Sequence, residues 1–135
     1  MRRLRRIYVA GAFTADSAHR VAENINAAVD LADELRAAGF LPFVPHTGLS
    51  GGRALVVDLS GPNGESEVYL ELPGLTWEEA MEDCRDLVGR MDALVMVPGW
   101  QDSKGAREEK ALAEAQGLPV FFTLAELRAA SEAVA

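Results

Sequence analysis

Residues 92–117, DALVMVPGWQDSKGAREEKALAEAQG, combine a continuous apolar run with an amphipathic stretch. The run from Ala93 to Val97 has the composition of a strand that is buried on both faces of a parallel sheet. The spacing of apolar residues from Gly105 to Gln116 predicts a helix that ends at Gly117. Because a strand followed by a helix is the building unit of parallel sheets, this stretch predicts an α/β fold.

The same alternation of strand and helix extends over the rest of the chain. The predicted elements are strands at residues 7–10, 40–44 and 118–122, a helix from Ser17 to Ala38 with Asp16 or Ser17 as its cap and Gly39 as its stop, a helix capped by Thr76 and Glu79, and a closing helix at residues 124–134. Residues 53–60 and 65–72 alternate apolar and polar side chains around a Gly-Pro-Asn-Gly turn, which predicts an inserted β-hairpin at about 53–72. We therefore expect a single domain, residues 1–135, with a doubly wound parallel sheet of the Rossmann-like or flavodoxin-like type.

The composition excludes several classes of protein. Apolar residues make up 49% and charged residues 25% of the 135 residues, which is typical of a folded domain. The net charge of −8, from 13 Lys and Arg against 21 Asp and Glu, argues against nucleic-acid binding. No apolar run approaches the ~20 residues of a membrane span. The opening MRRLRR lacks the long apolar stretch of a secretory signal, so we expect a cytoplasmic protein with a basic tail.

The content of cysteine and histidine bears on metals and redox chemistry. Cys84 is the only cysteine, so the chain forms no disulfide with itself. Two histidines and one cysteine give no spacing that is typical of metal ligands. We therefore expect neither a metal nor a cofactor.

Two loops stand where a sheet of this kind binds its ligands, beyond the carboxyl ends of strands at the point where the winding reverses. They are residues 11–16, after the first strand, and residues 98–104, after the apolar run. Ser103 and Gly105 lie at the start of the following helix, where unpaired amides and the helix dipole attract an anion, and Lys104 adds positive charge. A plain N-cap is the commoner role of such a serine, so both interpretations stay open.

Glu109 is the carboxylate on that helix with the most informative position. It shares a face with Ala106, Leu112 and Ala113, at spacings of three and four residues. Its neighbour Glu108 is turned ~100° away, toward solvent. Buried carboxylates are rare unless they are paired or functional, so Glu109 is either a site residue or an edge residue whose carboxylate reaches out to water.

Several segments together resemble a known family. They are IYVAGAF at residues 7–13, Asn24, PFVPH at 42–46, MDALVMVPGW at 91–100 and DSKGAREEKALAEAQGLPVFF at 102–122. The chain resembles the nucleoside 2-deoxyribosyltransferase-like superfamily, and within it looks closest to the nucleoside 5'-monophosphate N-glycosidases, which include CMP and deoxynucleotide N-hydrolases. The most specific part is Ser-x-Gly followed by a glutamate four residues after the glycine.

The resemblance implies roles for individual residues. Glu109 matches the catalytic glutamate that attacks the anomeric carbon of the sugar, and Tyr8 matches a tyrosine that hydrogen-bonds to it. Ser103 matches the serine of the monophosphate glycosidases, where deoxyribosyltransferases tend to carry an aspartate for the free 5'-hydroxyl. Ser103, Lys104 and Gly105 would then hold the phosphate, and Gly11 would let the loop approach the sugar. Relatives often complete the site from a neighbouring subunit, which implies a homodimer or larger oligomer.

The sequence departs from the family pattern in three places. Cys84 stands where the family usually has an acid, and Asp83 is the nearest substitute as donor of a proton to the leaving base. No arginine lies near Thr14, where some members grip the phosphate, so Arg20 or Lys104 would have to serve. The predicted hairpin replaces a loop, and we expect it to form a dimer contact or a decorated edge.

Three further side chains are candidates for substrate binding, each with a simpler alternative. His46 follows the second strand and is either a ligand contact or an ordinary polar contact. Trp100 and Phe13 could stack on a nucleobase or pack their own loops. Asp92 is expected to anchor a turn. The functional hypotheses are therefore a monophosphate N-glycosidase, a deoxyribosyltransferase, and a nucleotide-binding module without turnover, the last supported by Cys84. The expected partner is a small nucleotide or nucleoside.

Overall fold

The computed structural model describes residues 4–13, 15–48, 56–57, 68–69 and 76–134. In chain order the elements are β1 (Arg6–Ala10), α1 (Ala18–Ala37), β2 (Leu41–Phe43), α2 (Pro45–Gly48), β3 (Val56–Val57), β4 (Val68–Tyr69), α3 (Trp77–Val88), β5 (Ala93–Met96), a 3-10 turn (Trp100–Asp102), α4 (Lys104–Ala115), β6 (Val120–Phe121) and α5 (Leu124–Val134). Among these described elements, no helix combines the length and the apolar character needed to cross a bilayer.

Four strands form one parallel sheet in the order β2-β1-β5-β6. The chain winds outward from β1 to β2, then returns to the other side of β1 to form β5 and winds on to β6. The winding therefore reverses between β1 and β5, which are hydrogen-bonded neighbours from the pair Ile7 and Ala93 to the pair Ala10 and Met96. This confirms the predicted fold class of a doubly wound, Rossmann-like or flavodoxin-like α/β domain.

Helices cover both faces of the sheet because alternate strand residues point to opposite sides. On one face Ile7 and Val9 pack with Ala93 and Val95 against the buried stripe of α1 and Leu127 of α5. On the other face the cluster consists of Tyr8, Ala10, Leu94 and Met96 from the strands, Cys84 and Val88 from α3, Met91, and Ala106 and Ala113 from α4. The central strands are buried on both sides, which explains the continuous apolar run at residues 93–97.

The predicted helix ends agree with the structure because they depend on local chemistry. Ser17 caps α1 by accepting a hydrogen bond from the amide of Arg20 at 3.2 Å. Thr76 and Glu79 form the predicted capping box at the start of α3. Gly39 follows α1 with φ of +95°, a conformation that favours glycine. Strands at the sheet edges are shorter than predicted, because only the residues that pair with a neighbour are strand: Leu41–Phe43 in place of 40–44, and Val120–Phe121 in place of 118–122.

The predicted hairpin is represented by a short antiparallel pair. Val56 pairs with Tyr69 and Val57 with Val68, and these two strands form a sheet of their own. The antiparallel pairing agrees with the prediction. The predicted turn at residues 61–64 and the outer parts of both strands lie outside the described residues.

Asp92 joins the start of β5 to the start of β1. Its Oδ2 accepts hydrogen bonds from the amides of Arg5, at 3.1 Å, and Arg6, at 2.8 Å. The Arg6 guanidinium donates to Oδ1 at 3.2 Å. Burial by itself would raise the pKa of Asp92, but these hydrogen bonds outweigh burial and lower the pKa below its usual value. The predicted role of Asp92 was to anchor a turn, but the carboxylate instead anchors the amino end of β1, at the end of the sheet opposite to the switch-point loops.

We predict that Asp92→Ala lowers the free energy of unfolding by about 2 kcal/mol or more, because two amides and a guanidinium lose their acceptor. Since the folded-state pKa of Asp92 is depressed, its contribution is present above the unfolded pKa of about 4 and is lost as the pH falls below it. Urea denaturation at pH 7 and at acid pH measures both effects. Asp86→Ala is the matched control: its carboxylate pairs with Arg90 at 3.4 Å on the exposed side of α3. That pair is worth under about 1 kcal/mol. Equal losses in the two variants would contradict the prediction.

Candidate functional site

The carboxyl ends of β1 and β5 lie side by side, and both predicted loops begin there. The amide of Val97, just after β5, donates to the carbonyl of Ala10 at 2.8 Å. The loop after β1 therefore starts next to the segment that leads into the 3-10 turn and α4. This is the crevice in which doubly wound sheets bind ligands.

Glu109 is a buried carboxyl on the sheet-facing side of α4. It is 5% exposed and lies between Ala106 and Ala113, which are fully buried on the same face. The hydroxyl of Tyr8, from the centre of β1, donates a hydrogen bond to Oε2 of Glu109. Glu108 is partly exposed and its Oε1 is 4.0 Å from Nζ of Lys104. The helical spacing predicted this difference between the two adjacent glutamates.

Cys84 is the third member of this buried group, which we call the Tyr8–Cys84–Glu109 cluster. The side chain is 4% exposed on the face of α3 that packs against the sheet. It lies in the same apolar cluster as Tyr8, whose hydroxyl binds Glu109. Polar side chains from β1, α3 and α4 therefore lie in one apolar layer, where the Tyr8 hydroxyl and the Glu109 carboxyl satisfy each other.

The environment of this cluster changes the acidity of all three groups. Burial raises the pKa of Glu109 to about 7, although the hydrogen bond from Tyr8 and the nearby thiol of Cys84 act in the opposite direction. Burial is also the main cause that raises the pKa of Cys84 to about 11 and the pKa of Tyr8 above its usual value, and the charge of Glu109 adds to both. At neutral pH the phenol and the thiol therefore keep their protons, and the carboxyl ionises at a higher pH than an ordinary glutamate.

The start of α4 has the features predicted for an anion site, and Ser103 also forms the N-cap of this helix. Oγ of Ser103 accepts a hydrogen bond from the amide of Ala106 at 3.2 Å, which leaves the hydroxyl hydrogen to be donated. Lys104 is exposed. A Cβ added at Gly105 would meet only Sδ of Met81, at 3.8 Å, so packing within the chain does not require glycine here. Both predicted roles of Ser103 are compatible with this geometry.

Gly11 is required by packing between the two central strands. A Cβ at this position would lie 2.7 Å from Cβ of Val97, which is closer than real Cβ contacts come. Gly11 is therefore explained by the neighbouring segment of the chain, whether or not a sugar also approaches this loop.

Phe13 and His46 lie together after β1 and β2. Their ring centroids are 5.6 Å apart. Nε2 of His46 is 2.9 Å from the carbonyl of Ala12, whereas Nδ1 is buried and has no hydrogen-bond partner among the described residues. Burial lowers the pKa of His46, outweighing the backbone hydrogen bonds that raise it. The neutral ring therefore donates from Nε2 to Ala12 and presents Nδ1 as an acceptor.

Two other predicted site residues lie apart from the Tyr8–Cys84–Glu109 cluster. Asp83 is exposed on α3, and its influence on the cluster is through its charge, which contributes to the raised pKa of Cys84. Trp100 is half-buried and packs with its ring centroid 5.8 Å from that of Phe122 and 5.5 Å from Nζ of Lys110. In this arrangement Trp100 packs its own loop against β6 and α4.

Sequence reasoning did not assign a role to Asn24. Its Nδ2 donates to the carbonyl of Phe13 at 3.2 Å, which ties the loop after β1 to α1. A helical asparagine seven residues after the Ser17 cap was the available signal.

In the described part of the chain, no group of three or more His, Cys, Asp and Glu side chains is arranged to hold a metal ion.

We predict opposite outcomes for alanine at two glycines of this region. Gly11→Ala should lower the free energy of unfolding by about 1–3 kcal/mol, because its Cβ overlaps Val97 and the packed strands must move. Gly105→Ala is the control and should leave stability unchanged or slightly improved, because the added Cβ has room on a helix. Thermal and urea denaturation of the two variants measures this difference. A stable Gly11→Ala protein would contradict the contact with Val97.

We also predict that Glu109 makes stability depend on pH near neutrality. Its folded pKa of about 7 is above the ordinary value of 4.5. The buried carboxyl therefore favours its protonated form. Its contribution to the free energy of unfolding is lost as the pH rises from about 4.5 to 7. Between pH 5 and pH 8 the wild type should lose about 2–3 kcal/mol of unfolding free energy relative to Glu109→Gln. Glu108→Gln is the matched control and should follow the wild type. Parallel profiles for wild type and Glu109→Gln would contradict the prediction.

The chain matches a protein family over nearly the whole fold. A search of the curated proteins gives no match to this chain. The family model described as "Domain of unknown function (DUF4406)" matches residues 5–122. The match extends from β1 to β6 and includes Tyr8, Cys84 and Glu109, so the chain belongs to the DUF4406 family.

Proposed function

We propose that this protein cleaves the N-glycosidic bond of a nucleoside 5'-monophosphate and releases a free base and a sugar 5-phosphate. The proposal includes kinship with the nucleoside 2-deoxyribosyltransferase-like superfamily. The single observation that carries it is the buried Glu109, which accepts a hydrogen bond from Tyr8 beside the switch point of the sheet. Burying a carboxyl in an apolar layer costs stability, and a role as the nucleophile would explain why Glu109 lies there.

Glu109 would act as the nucleophile in two steps. Its carboxylate attacks the anomeric carbon, the carbon–nitrogen bond breaks, and the base departs with the bonding electrons and takes up a proton. Water then cleaves the glycosyl ester and restores the carboxylate. Tyr8 holds the carboxyl by donating to Oε2. Only the ionised form attacks, so turnover should rise with pH through about 7, the pKa of Glu109.

The proton for the departing base is assigned to Asp83. It is exposed on α3, where it can exchange protons with water. Cys84 is a poor alternative donor, because burial raises its pKa to about 11 and a general acid works best with a pKa near the working pH.

The 5'-phosphate is assigned to the start of α4. The helix has 12 residues, so its amino end carries a full dipole and unpaired amides. The Ser103 hydroxyl and the Lys104 ammonium add a donor and a positive charge. The net charge of −8 cannot attract a phosphate from a distance, so a dedicated local site must do so. The room at Gly105 favours a close approach of the ligand to the backbone.

The sugar and base are assigned to the loop after β1 and to Trp100. Nδ1 of His46 is a buried acceptor that suits a sugar hydroxyl, and the neighbouring Phe13 ring offers a face for stacking. The exposed part of the Trp100 ring would stack on the base. A homodimer in which a second subunit completes this side is part of the proposal.

Two other functions use the same residues. A deoxyribosyltransferase would resolve the Glu109 ester with a second base in place of water. A nucleotide-binding module without turnover is favoured by one observation: Cys84 stands where the superfamily usually has an acid.

We predict base release from nucleoside 5'-monophosphates by the wild-type protein. The test compares CMP, dCMP, GMP and dGMP with their nucleosides and measures free base by chromatography and binding by thermal shift. Glu109→Gln should lower turnover by several orders of magnitude while binding persists, and Glu108→Gln should retain turnover. Binding without base release would establish the binding module, and release from Glu109→Gln at the wild-type rate would refute the assigned nucleophile.

The same assay tests the phosphate site. The monophosphates should be used at least about tenfold better than the nucleosides, since one charge-assisted hydrogen bond is worth more than the ~1.4 kcal/mol that this ratio requires. Ser103→Asp should reverse this preference by placing a negative charge at the start of α4. Equal or better activity on nucleosides in the wild type would favour the transferase.

A further inference from the structure

His46 lies beside the loop after β1 because β2 runs parallel to β1. The register pairs Tyr8 with Phe43, so both segments leave the sheet at the same edge. Just beyond β2, Nε2 of His46 is 2.9 Å from the carbonyl oxygen of Ala12. A carbonyl oxygen only accepts hydrogen bonds, so Nε2 carries a proton and donates it. The side chain of His46 therefore holds one peptide group of the loop.

The same peptide group contains the amide of Phe13. In a trans peptide the C=O and N–H bonds point in opposite directions, and the described residues include no cis peptide. Since the carbonyl of Ala12 points to His46, the amide of Phe13 points away from His46. β2 and β5 lie on opposite sides of β1, and His46 follows β2. The amide is therefore directed toward the side of β5, where the crevice lies.

The next peptide group of the loop is fixed from a different element. Nδ2 of Asn24, on α1, donates to the carbonyl of Phe13 at 3.2 Å. Two consecutive carbonyls of the loop are thus taken up by side chains from α2 and α1. By contrast, the amide of Phe13 has no hydrogen-bond acceptor within the described part of the chain. This leaves one oriented backbone donor beside the switch point.

We infer that His46 is a positioning residue: it turns the Phe13 amide into the crevice, where this amide donates a hydrogen bond to an acceptor oxygen of the bound ligand. A peptide group whose carbonyl is held cannot rotate, so the donor is oriented before the ligand arrives and less freedom is lost on binding. That the ligand is a nucleotide rests on the proposed function. The orientation of the peptide group does not.

Substitutions can separate the two ring nitrogens of His46. Nδ1, the proposed acceptor for a sugar hydroxyl, is buried and has no partner among the described residues. In glutamine the side-chain nitrogen is as many bonds from Cα as Nε2 is in histidine, so His46→Gln keeps a donor for Ala12 and loses Nδ1. In His46→Asn the amide group falls near the position of Nδ1 and does not reach Ala12. His46→Phe keeps a ring beside Phe13 and has neither polar atom.

The experiment combines a readout without ligand and a readout with ligand. The carbon-13 NMR signal of the Ala12 carbonyl reports whether its hydrogen bond is present. It should move in His46→Asn and His46→Phe and stay near the wild-type position in His46→Gln. Titration with CMP, dCMP, GMP and dGMP then measures affinity. The Gln variant should bind about threefold or more tightly than the Asn and Phe variants, because it retains the oriented amide.

Kinetics add a readout that a merely structural role would not change selectively. If base release is observed, KM should follow the same order as the dissociation constants while kcat changes little, since the Phe13 amide is present in the ground state and in the transition state. Dissociation constants and NMR signals are properties of the folded protein, so a general loss of stability does not imitate this order.

The inference and the proposed function fail in different ways. The predicted order of affinities together with the predicted shifts of the Ala12 signal supports the inference. An Asn variant that binds as tightly as the Gln variant, or an Ala12 signal unmoved in both the Asn and Phe variants, overturns it. If the wild type binds none of the nucleotides, the proposed function fails, and the Ala12 signal alone decides whether His46 holds the peptide group.

Discussion

The hydrogen bond between Tyr8 and Glu109 connects the centre of the sheet to the helix that follows the switch point. The two residues are 101 positions apart in the chain and both are buried. Placing a carboxyl in this layer is costly unless donors meet it, and β1 supplies the phenol at the required depth. The rest of the site depends on this contact, because it requires α4 to keep the face that carries Glu109 against the sheet and so directs the start of α4 to the crevice.

The sheet holds polar groups of opposite character at its two ends. At the amino end of β1, Asp92 is held as a carboxylate by two amides and a guanidinium, which lower its pKa. Near the carboxyl end, Glu109 meets only neutral donors, and its pKa rises to about 7. Neither carboxyl is open to solvent, but Glu109 lies deeper among apolar groups, so the difference comes from stronger desolvation as well as from its partners. The first arrangement stabilises a charge that holds strands together, whereas the second leaves a carboxyl able to change its charge near neutral pH.

The loop after β1 shows how packing and ligand binding can require the same residue type. Gly11 is needed because Val97 occupies the space of a Cβ, and Asn24 holds the loop by its hydrogen bond to Phe13. Gly105 has no such internal reason, since a Cβ there would make only an ordinary contact. The two glycines were assigned to ligand approach from the sequence alone. The tertiary contacts distinguish the two glycines, because the room for a Cβ depends on the atoms opposite it. These are the side-chain atoms of Val97 at Gly11 and Sδ of Met81 at Gly105.

The sequence by itself determined the alternation of strands and helices, the capping box at Thr76 and the inward face of α4 that carries Glu109, and it narrowed the cap of α1 to Asp16 or Ser17. These features depend on neighbours within about four residues, where backbone geometry and side-chain spacing are enough. The sequence did not predict that packing against Val97 requires Gly11, or the role of Asn24. The tertiary structure alone decided these contacts and the charge state of Glu109. Burial and hydrogen-bond partners set a pKa, and here the partner is Tyr8 on β1, which only the folded chain brings to α4.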